Sequence, residues 1–371
     1  MTWRDTPAHP HGRRRTAADA PTAELSRNAL FRGAVPAGPG RVAPASGVRV
    51  PSQGTPGTGR GPCRCAAPGT DRTAPPSTRS TMHPLDTASA SVGTPLLEDF
   101  SLEMTGKDVP ELEAADGTLP RGTRVNVTFL GNEDPRMRLD AARAVKRLGL
   151  LPVPHISARR LTSRTDFEQF LAGLRDDGTA THVFTVGGDP ALPQGPYDSA
   201  LALIDSGLLQ EHGVRHVGIA GYPEGHPALT DDTLRAALRD KAASLTAHGL
   251  TGHVTTQFGF DPDPVLSWLE DVRDQGITLP VRIGVPGPAG VRRLLSYATR
   301  FGVGTSASIA RKYGLSLTNL MGTTGPDAFL RTLAERYDPA RHGEVKIHFY
   351  TFGGLRATAE WIARFRQDNL V

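Results

Sequence analysis

The sequence predicts an α/β protein, a closed (β/α)8 TIM barrel preceded by a disordered N-terminal extension. Short apolar runs alternate with amphipathic segments eight times between Leu96 and Arg366. Eight strand–helix pairs in about 275 residues match the count and length of such a barrel. An open doubly wound sheet, the alternative, would place G-x-G-x-x-G at the entry to its first helix, and no such fingerprint occurs there.

The extension covers residues 1–93. It is rich in Pro, Gly, Ala, Arg, Ser and Thr and contains no isoleucine. A segment of that kind buries too little apolar surface to offset its ordering entropy. An Arg-rich leader of this type also fits an organelle transit peptide or a basic arm. The composition changes abruptly a few residues after Met82, and the expectation is that synthesis begins there and residues 1–81 are not part of the working protein.

The barrel expected over residues 94–371 reads in order as follows. Asp99–Glu103 is the first strand, followed by a weak helix through Val109–Ala115. Arg124–Phe129 leads to a helix over Pro135–Leu148, whose Leu139, Ala142, Val145 and Leu148 share one face. Leu151–Ile156 is followed by Ser163–Leu174, with Phe167, Phe170, Leu171 and Leu174 at helical spacing. His182–Val186 precedes Tyr197–Ser206, and Val214–Ala220 precedes Thr230–His248. His253–Gln257 precedes Asp263–Asp274, and Val281–Gly284 precedes Pro288–Tyr297. Val345–Tyr350 and Leu355–Arg366 close the series. Two more helical pieces, Ser306–Tyr313 and Pro326–Tyr337, read as a rim insertion near residues 304–340.

Charge and cysteine content exclude several functions. The segment Met1–Met82 holds 12 Arg, no Lys and four acidic residues, leaving 30 basic against 34 acidic residues in the rest. The basic pI of about 9.3 therefore belongs to the extension, and the barrel has no electrostatic reason to bind nucleic acid. Both cysteines, Cys63 and Cys65, also lie in the extension, which fits a reducing cytoplasm. No apolar run reaches the roughly 18 residues of a membrane span. Nothing in the sequence sets an oligomeric state, so a homo-oligomer stays open.

In a closed barrel the carboxyl ends of the strands converge on one mouth. Those ends carry Glu103, Thr128 with Asn132, His155, Gly188-Asp189, Ala220 through His226, Gln257, Pro286-Gly287, and His348 with Tyr350. Glycines at Gly187, Gly188 and Gly221 let backbone approach a flat ligand closely. A metal set from His155, Glu224, His226 and His348 lacks any H-E-x-x-H spacing. A serine nucleophile lacks its G-x-S-x-G elbow. A carboxylate pair for glycoside hydrolysis, Glu103 with Asp189, is compatible with the spacing. The residues alone thus describe a barrel enzyme with a polar mouth, a general acid and a surface for a planar ligand.

At these positions the chain resembles the methylenetetrahydrofolate reductase family, from about Phe100 to Phe365. The ordered motifs are Ser101-Leu-Glu103, Val153-Pro-His-Ile-Ser157, Gly188-Asp189, Gly221-Tyr-Pro-Glu-Gly-His-Pro227, Thr256-Gln-Phe258 and Ile347-His-Phe-Tyr350. The resemblance implies reduction of 5,10-methylenetetrahydrofolate to 5-methyltetrahydrofolate with NADH or NADPH, through FAD. It implies Glu103 as the acid that protonates a folate nitrogen, Asp189 as the carboxylate between flavin and pterin, and Gln257 as a folate ligand. Thr128, His155, Gly188, Asp189, Tyr197, Ala220, Tyr222, His226 and Lys241 match positions that line the flavin.

Two departures stand out. The family commonly has Arg-Gly-Asp where this chain has Gly187-Gly188-Asp189. In the helix after His226, Lys241 is kept but Asp240 falls where an arginine is expected. Losing a charge-assisted phosphate contact costs roughly 1.5–3 kcal/mol. The alternative function on these grounds is a folate-binding barrel without reductase activity, serving a methyl-transfer pathway.

Overall fold

Eight parallel strands hydrogen-bond in a closed ring in the computed structural model, in the order Ser101–Met104, Val345–Tyr350, Val281–Pro286, Thr251–Thr256, His216–Gly221, His182–Val186, Leu151–Ser157 and Arg124–Val127. The described residues are 95–368, except 130, 132 and 304–322. The expected extension, Asn132 and the Ser306–Tyr313 piece lie outside them. The ring consists of β1 (Ser101–Met104), β2 (Arg124–Val127), β3 (Leu151–Ser157), β4 (His182–Val186), β5 (His216–Gly221), β6 (Thr251–Thr256), β7 (Val281–Pro286) and β10 (Val345–Tyr350). Two residues of β8 (Ala289–Gly290) pair antiparallel with β9 (Thr323–Thr324) as a separate ribbon.

Among the described residues the α-helices are α1 (Val109–Ala114), α2 (Pro135–Arg147), α3 (Arg164–Asp176), α4 (Ala200–Asp205), α5 (Leu208–Glu211), α6 (Asp231–Ala247), α7 (Pro262–Asp274), α8 (Val291–Phe301), α9 (Asp327–Arg336), α10 (Pro339–His342) and α11 (Leu355–Asp368). Asp134, Ser163, Ser199, Thr230 and Asp261 cap the helices that follow β2 to β6, each accepting a backbone N–H in the first turn. Such a cap contributes about 1 kcal/mol and fixes where the chain turns from mouth into helix.

Several boundaries differ from expectation, and three of the differences have identifiable causes. The first strand begins at Ser101 because Asp99 takes a left-handed φ of 54°. The helix expected over Tyr197–Ser206 starts at Ala200 and gives way to α5 at Gly207, whose φ is 76°. The helix expected from Pro288 starts at Val291, because Ala289 and Gly290 are taken by the ribbon.

Period-2 alternation sends Leu102, Val125, Ile219, Val254, Ile283 and Phe349 outward beneath the helices, each at 0% exposure. The inward set is unusually polar. Ser101, Asn126, His155, His253, Arg282 and His348 are all buried, and burial without partners would cost each several kcal/mol. They meet one another instead. Asn126 Nδ2 lies 3.1 Å from His155 Nε2, and His216 Nε2 lies 2.7 Å from His253 Nδ1. The Arg282 guanidinium donates to the backbone carbonyl and carboxylate of Asp99 at 2.7 and 2.6 Å, and Arg124 pairs with the same carboxylate. Phe184 separates His155 from His253, its ring 4.6 and 6.4 Å from theirs.

These histidines are held neutral, mainly by burial. The pKa of His155 is pushed down to about 3 and that of His216 to about 4, and His182, His253 and His348 are lowered as well. A histidine whose folded pKa lies below its unfolded value of about 6.5 stabilises the fold above that pH, and the stability is lost as pH falls. Glu103, raised from 4.5 to about 8, acts oppositely, losing stability as pH rises from 4.5 to 8. Below pH 6.5 the five histidines outweigh Glu103, whose loss of stability continues up to about pH 8. Thermal unfolding should therefore show its highest midpoint near pH 6.5–7. A fall of about 10 °C by pH 5 is expected, and a midpoint flat from pH 7 to 5 would contradict buried neutral histidines.

Candidate active site

Glu103 is the third residue of β1 and points inward near the carboxyl end of the ring, 6% exposed. Its pKa is pushed up to about 8, first by burial and then by the charge of Asp108. Asp108 is fixed in the turn after β1, where its carboxylate accepts from the N–H and hydroxyl of Thr105, both at 2.8 Å. At neutral pH Glu103 is thus a protonated acid in a low-dielectric pocket, the state a proton donor needs.

Three groups of the last strand and its loop surround Glu103. His348 Nε2 lies 3.8 Å from Glu103 Oε2, and its Nδ1 lies 2.9 Å from Ser101 Oγ. The Tyr350 ring stands edge-on to His348 at 5.0 Å, and its hydroxyl donates to the Thr256 carbonyl at 3.0 Å. Thr351 Oγ1 donates to the backbone carbonyl of Glu103 at 2.8 Å. Burial raises the Tyr350 pKa, and the neighbouring Glu103 and Tyr222 add to the shift.

Asp189 follows β4 on a loop turned by Gly188. The φ of Gly188 is 97°, and a Cβ there would sit 2.1 Å from Ser157 Oγ. Arg160, in the turn after β3, grips both Asp189 carboxylate oxygens, one at 2.6 Å. Its neighbour Arg159 is 3% exposed and donates to the carbonyls of Asp198, Pro190 and Ala191 at 2.8, 3.1 and 2.9 Å. Arg159 pins the loop, and Arg160 aims its carboxylate. Sequence reading missed both, although a pair of arginines directly after a strand end was the available signal.

The loop after β5 holds Tyr222 and His226 edge to face at 5.3 Å, and burial pushes the Tyr222 hydroxyl up. Gln257 directly follows β6. Its N–H donates to the Gly221 carbonyl at 2.9 Å, and its Oε1 accepts from the Phe258 N–H at 3.1 Å. Lys241, on α6, donates to the Ala220 carbonyl at 3.4 Å, and burial lowers its pKa to about 8.

The fold therefore brings Glu103, Asp189, Ala220, Tyr222 and Gln257 to one end of the barrel. Thr128 and His155 belong to that end but are enclosed, at 0% and 1% exposure. Tyr197 packs its ring edge-on to Phe167 of α3 at 5.4 Å, between barrel and helix. Among the described residues, no three His, Cys, Asp or Glu side chains are grouped to hold a metal ion, and no helix is long and apolar enough to cross a membrane.

FAD, the cofactor the resemblance implies, carries a diphosphate that side-chain cations beside it would favour. Gly187 has no side chain, and Asp240 is a half-exposed acid whose partner is Arg239 at 3.9 Å. Arg160 is committed to Asp189, and Lys241 is committed to a strand-end carbonyl. These residues offer walls for a flat ring but no uncommitted cation for the diphosphate.

Comparison with known proteins agrees with the geometry. A family model described as methylenetetrahydrofolate reductase matches residues 117–313, more than half of the chain. Methylenetetrahydrofolate reductase 2 of Saccharomyces cerevisiae is 32% identical over 69 residues, which are 19% of this chain and only 11% of that protein. A solved structure of an uncharacterized protein from Clostridium thermocellum, which binds two copies of 5-methyl-5,6,7,8-tetrahydrofolic acid, shares the fold. Its TM-score is 0.50 at 11% identity, over 72% of this chain and 93% of that one. With a closed parallel barrel, the acid at its mouth and a family match over most of the ring, the chain belongs to the methylenetetrahydrofolate reductase family.

Proposed function

We propose that this protein reduces 5,10-methylenetetrahydrofolate to 5-methyltetrahydrofolate, with NADH or NADPH as the source of hydride and Glu103 as the proton donor. The observation that carries the reading is the Glu103 carboxyl, buried at the carboxyl end of β1 where burial raises its pKa. In the reaction one carbon–nitrogen bond of the folate's five-membered ring breaks. Its electron pair takes the Glu103 proton, and the hydride adds to the resulting iminium carbon. The protein's part is orientation and proton supply, and the hydride chemistry belongs to the nucleotide.

Asp189 and Gln257 are proposed to hold the pterin. Each carboxylate oxygen accepts more than one hydrogen bond, so Asp189 can accept from pterin N–H groups while Arg160 keeps its grip. FAD, which the family generally uses, would supply a hydride relay when bound. The unfilled diphosphate cations support direct transfer from the dihydronicotinamide instead. A second reading, a folate-binding barrel without reductase activity, draws support from the enclosure of Thr128 and His155.

Glu103→Gln should lower folate reduction by roughly 100-fold or more, the scale of general acid catalysis, while nucleotide binding measured by fluorescence stays intact. Turnover near that of the unaltered protein would remove Glu103 from the mechanism. In the unaltered protein kcat/KM should decline above about pH 8, because the donor loses its proton there. An absorbance spectrum of the protein purified from its own host separates the cofactor readings. A colourless protein that oxidises NADH or NADPH only with the folate present is expected. A yellow protein bleached by the nucleotide and recoloured by the folate would restore the flavin, and a colourless, inert one would favour the binding protein.

A further inference from the structure

The pairing of β1 with β10 sets Ser101 directly opposite His348, both 1% exposed, with Ser101 Oγ and His348 Nδ1 2.9 Å apart. We infer that Ser101 fixes the tautomer of a neutral His348, so that its Nε2–H becomes a hydrogen-bond donor to the Glu103 carboxylate formed when the folate is protonated. This rests on the reading of Glu103 as the proton donor and adds two positioning residues to it.

The direction of the Ser101–His348 bond decides the tautomer. A buried hydroxyl needs an acceptor, and His348 Nδ1 is the partner in reach of Ser101 Oγ. With the serine O–H donating to Nδ1, the ring proton resides on Nε2. That nitrogen faces Glu103 Oε2 at 3.8 Å, just beyond hydrogen-bond range. While Glu103 keeps its proton the imidazole makes little contact with it. Once the proton has left, an anionic oxygen stands opposite an N–H, and a shift of about 1 Å closes the bond. The donor thus acts on the charge that develops in the transition state more than on the resting acid.

The surroundings keep the imidazole neutral. His253, His155 and Arg282 face it from β6, β3 and β7, and with burial they oppose a positive charge on the ring. Tyr350 stands edge-on to it from its own strand. Glu103 in turn faces Asp108 and Tyr350 besides His348. A neutral imidazole in this place can steady the carboxylate by its N–H without taking the proton for itself.

The test combines a tautomer readout with kinetics. In protein carrying 15N-labelled histidine, the His348 resonances, assigned by their loss in His348→Gln, should show the Nε2–H tautomer. Ser101→Ala should replace it with a tautomer mixture. An Nδ1–H form or an imidazolium in the unaltered protein would overturn the inference. His348→Leu should lower kcat about 10- to 100-fold, with KM for the nucleotide little changed. It should also move the alkaline limb of the pH profile upward, since the Glu103 anion loses its donor. His348→Gln keeps an N–H near the Nε2 position and should recover part of the rate. Equal losses in the Leu and Gln variants with an unmoved alkaline limb would reduce His348 to a packing residue. Full activity in Glu103→Gln would instead sink the proton-donor reading, and the tautomer spectrum would still report on the Ser101–His348 bond.

Discussion

The ring closes where β1 meets β10, and the site depends on that closure. The two strands lie 247 positions apart at Ser101 and His348 and pair through only two register contacts, Ser101 with His348 and Leu102 with Phe349. One contact faces inward and is polar; the other faces the helices and is apolar. Phe349 is sealed there by Phe100 and Trp361, its ring 6.0 and 5.9 Å from theirs. The same register that buries Phe349 therefore delivers His348 to Glu103. A slip of β10 by one residue would turn it inside out, exchanging the apolar Phe349 for His348.

The polar interior has a cost that the rest of the barrel offsets. Side chains that normally seek water are confined on the ring's inner face, and their hydrogen bonds recover only part of the lost solvation. What results is a set of neutral imidazoles and a protonated carboxyl in a low-dielectric space. A solvated mouth would leave the glutamic acid ionised near neutral pH, with no proton to give. The apolar layer between strands and helices supplies the stability that permits this arrangement.

Arginine placement shows a second economy of the fold. Gly187 lacks the side chain that the family's pattern puts before its conserved aspartate, yet a guanidinium still meets Asp189, reaching across from the turn after β3 as Arg160. That grip orients Asp189 at the mouth from a neighbouring strand's turn.

Much of this was legible in the order of residues. The eight strands, their helices and the sequence of polar strand ends follow from periodicity and capping, because hydrophobic burial and orphan backbone groups act locally. Boundaries failed where long-range contacts intervened: Asp99 is drawn into a left-handed turn by Arg124 and Arg282, and Ala289 is drawn into a ribbon with Thr324. Glu103, Asp189, Tyr222 and Gln257 were identifiable as strand-end groups before any coordinates. The raised pKa of Glu103 and the grip of Arg160 on Asp189 were not. By itself the sequence determined the alternation of elements and the chemistry available at each strand tip, since those depend on neighbours a few positions away. Only the tertiary structure decided which tips touch, how deeply Glu103 is withdrawn from water and which nitrogen of His348 faces it, because desolvation and hydrogen-bond direction are properties of contacts made across the ring.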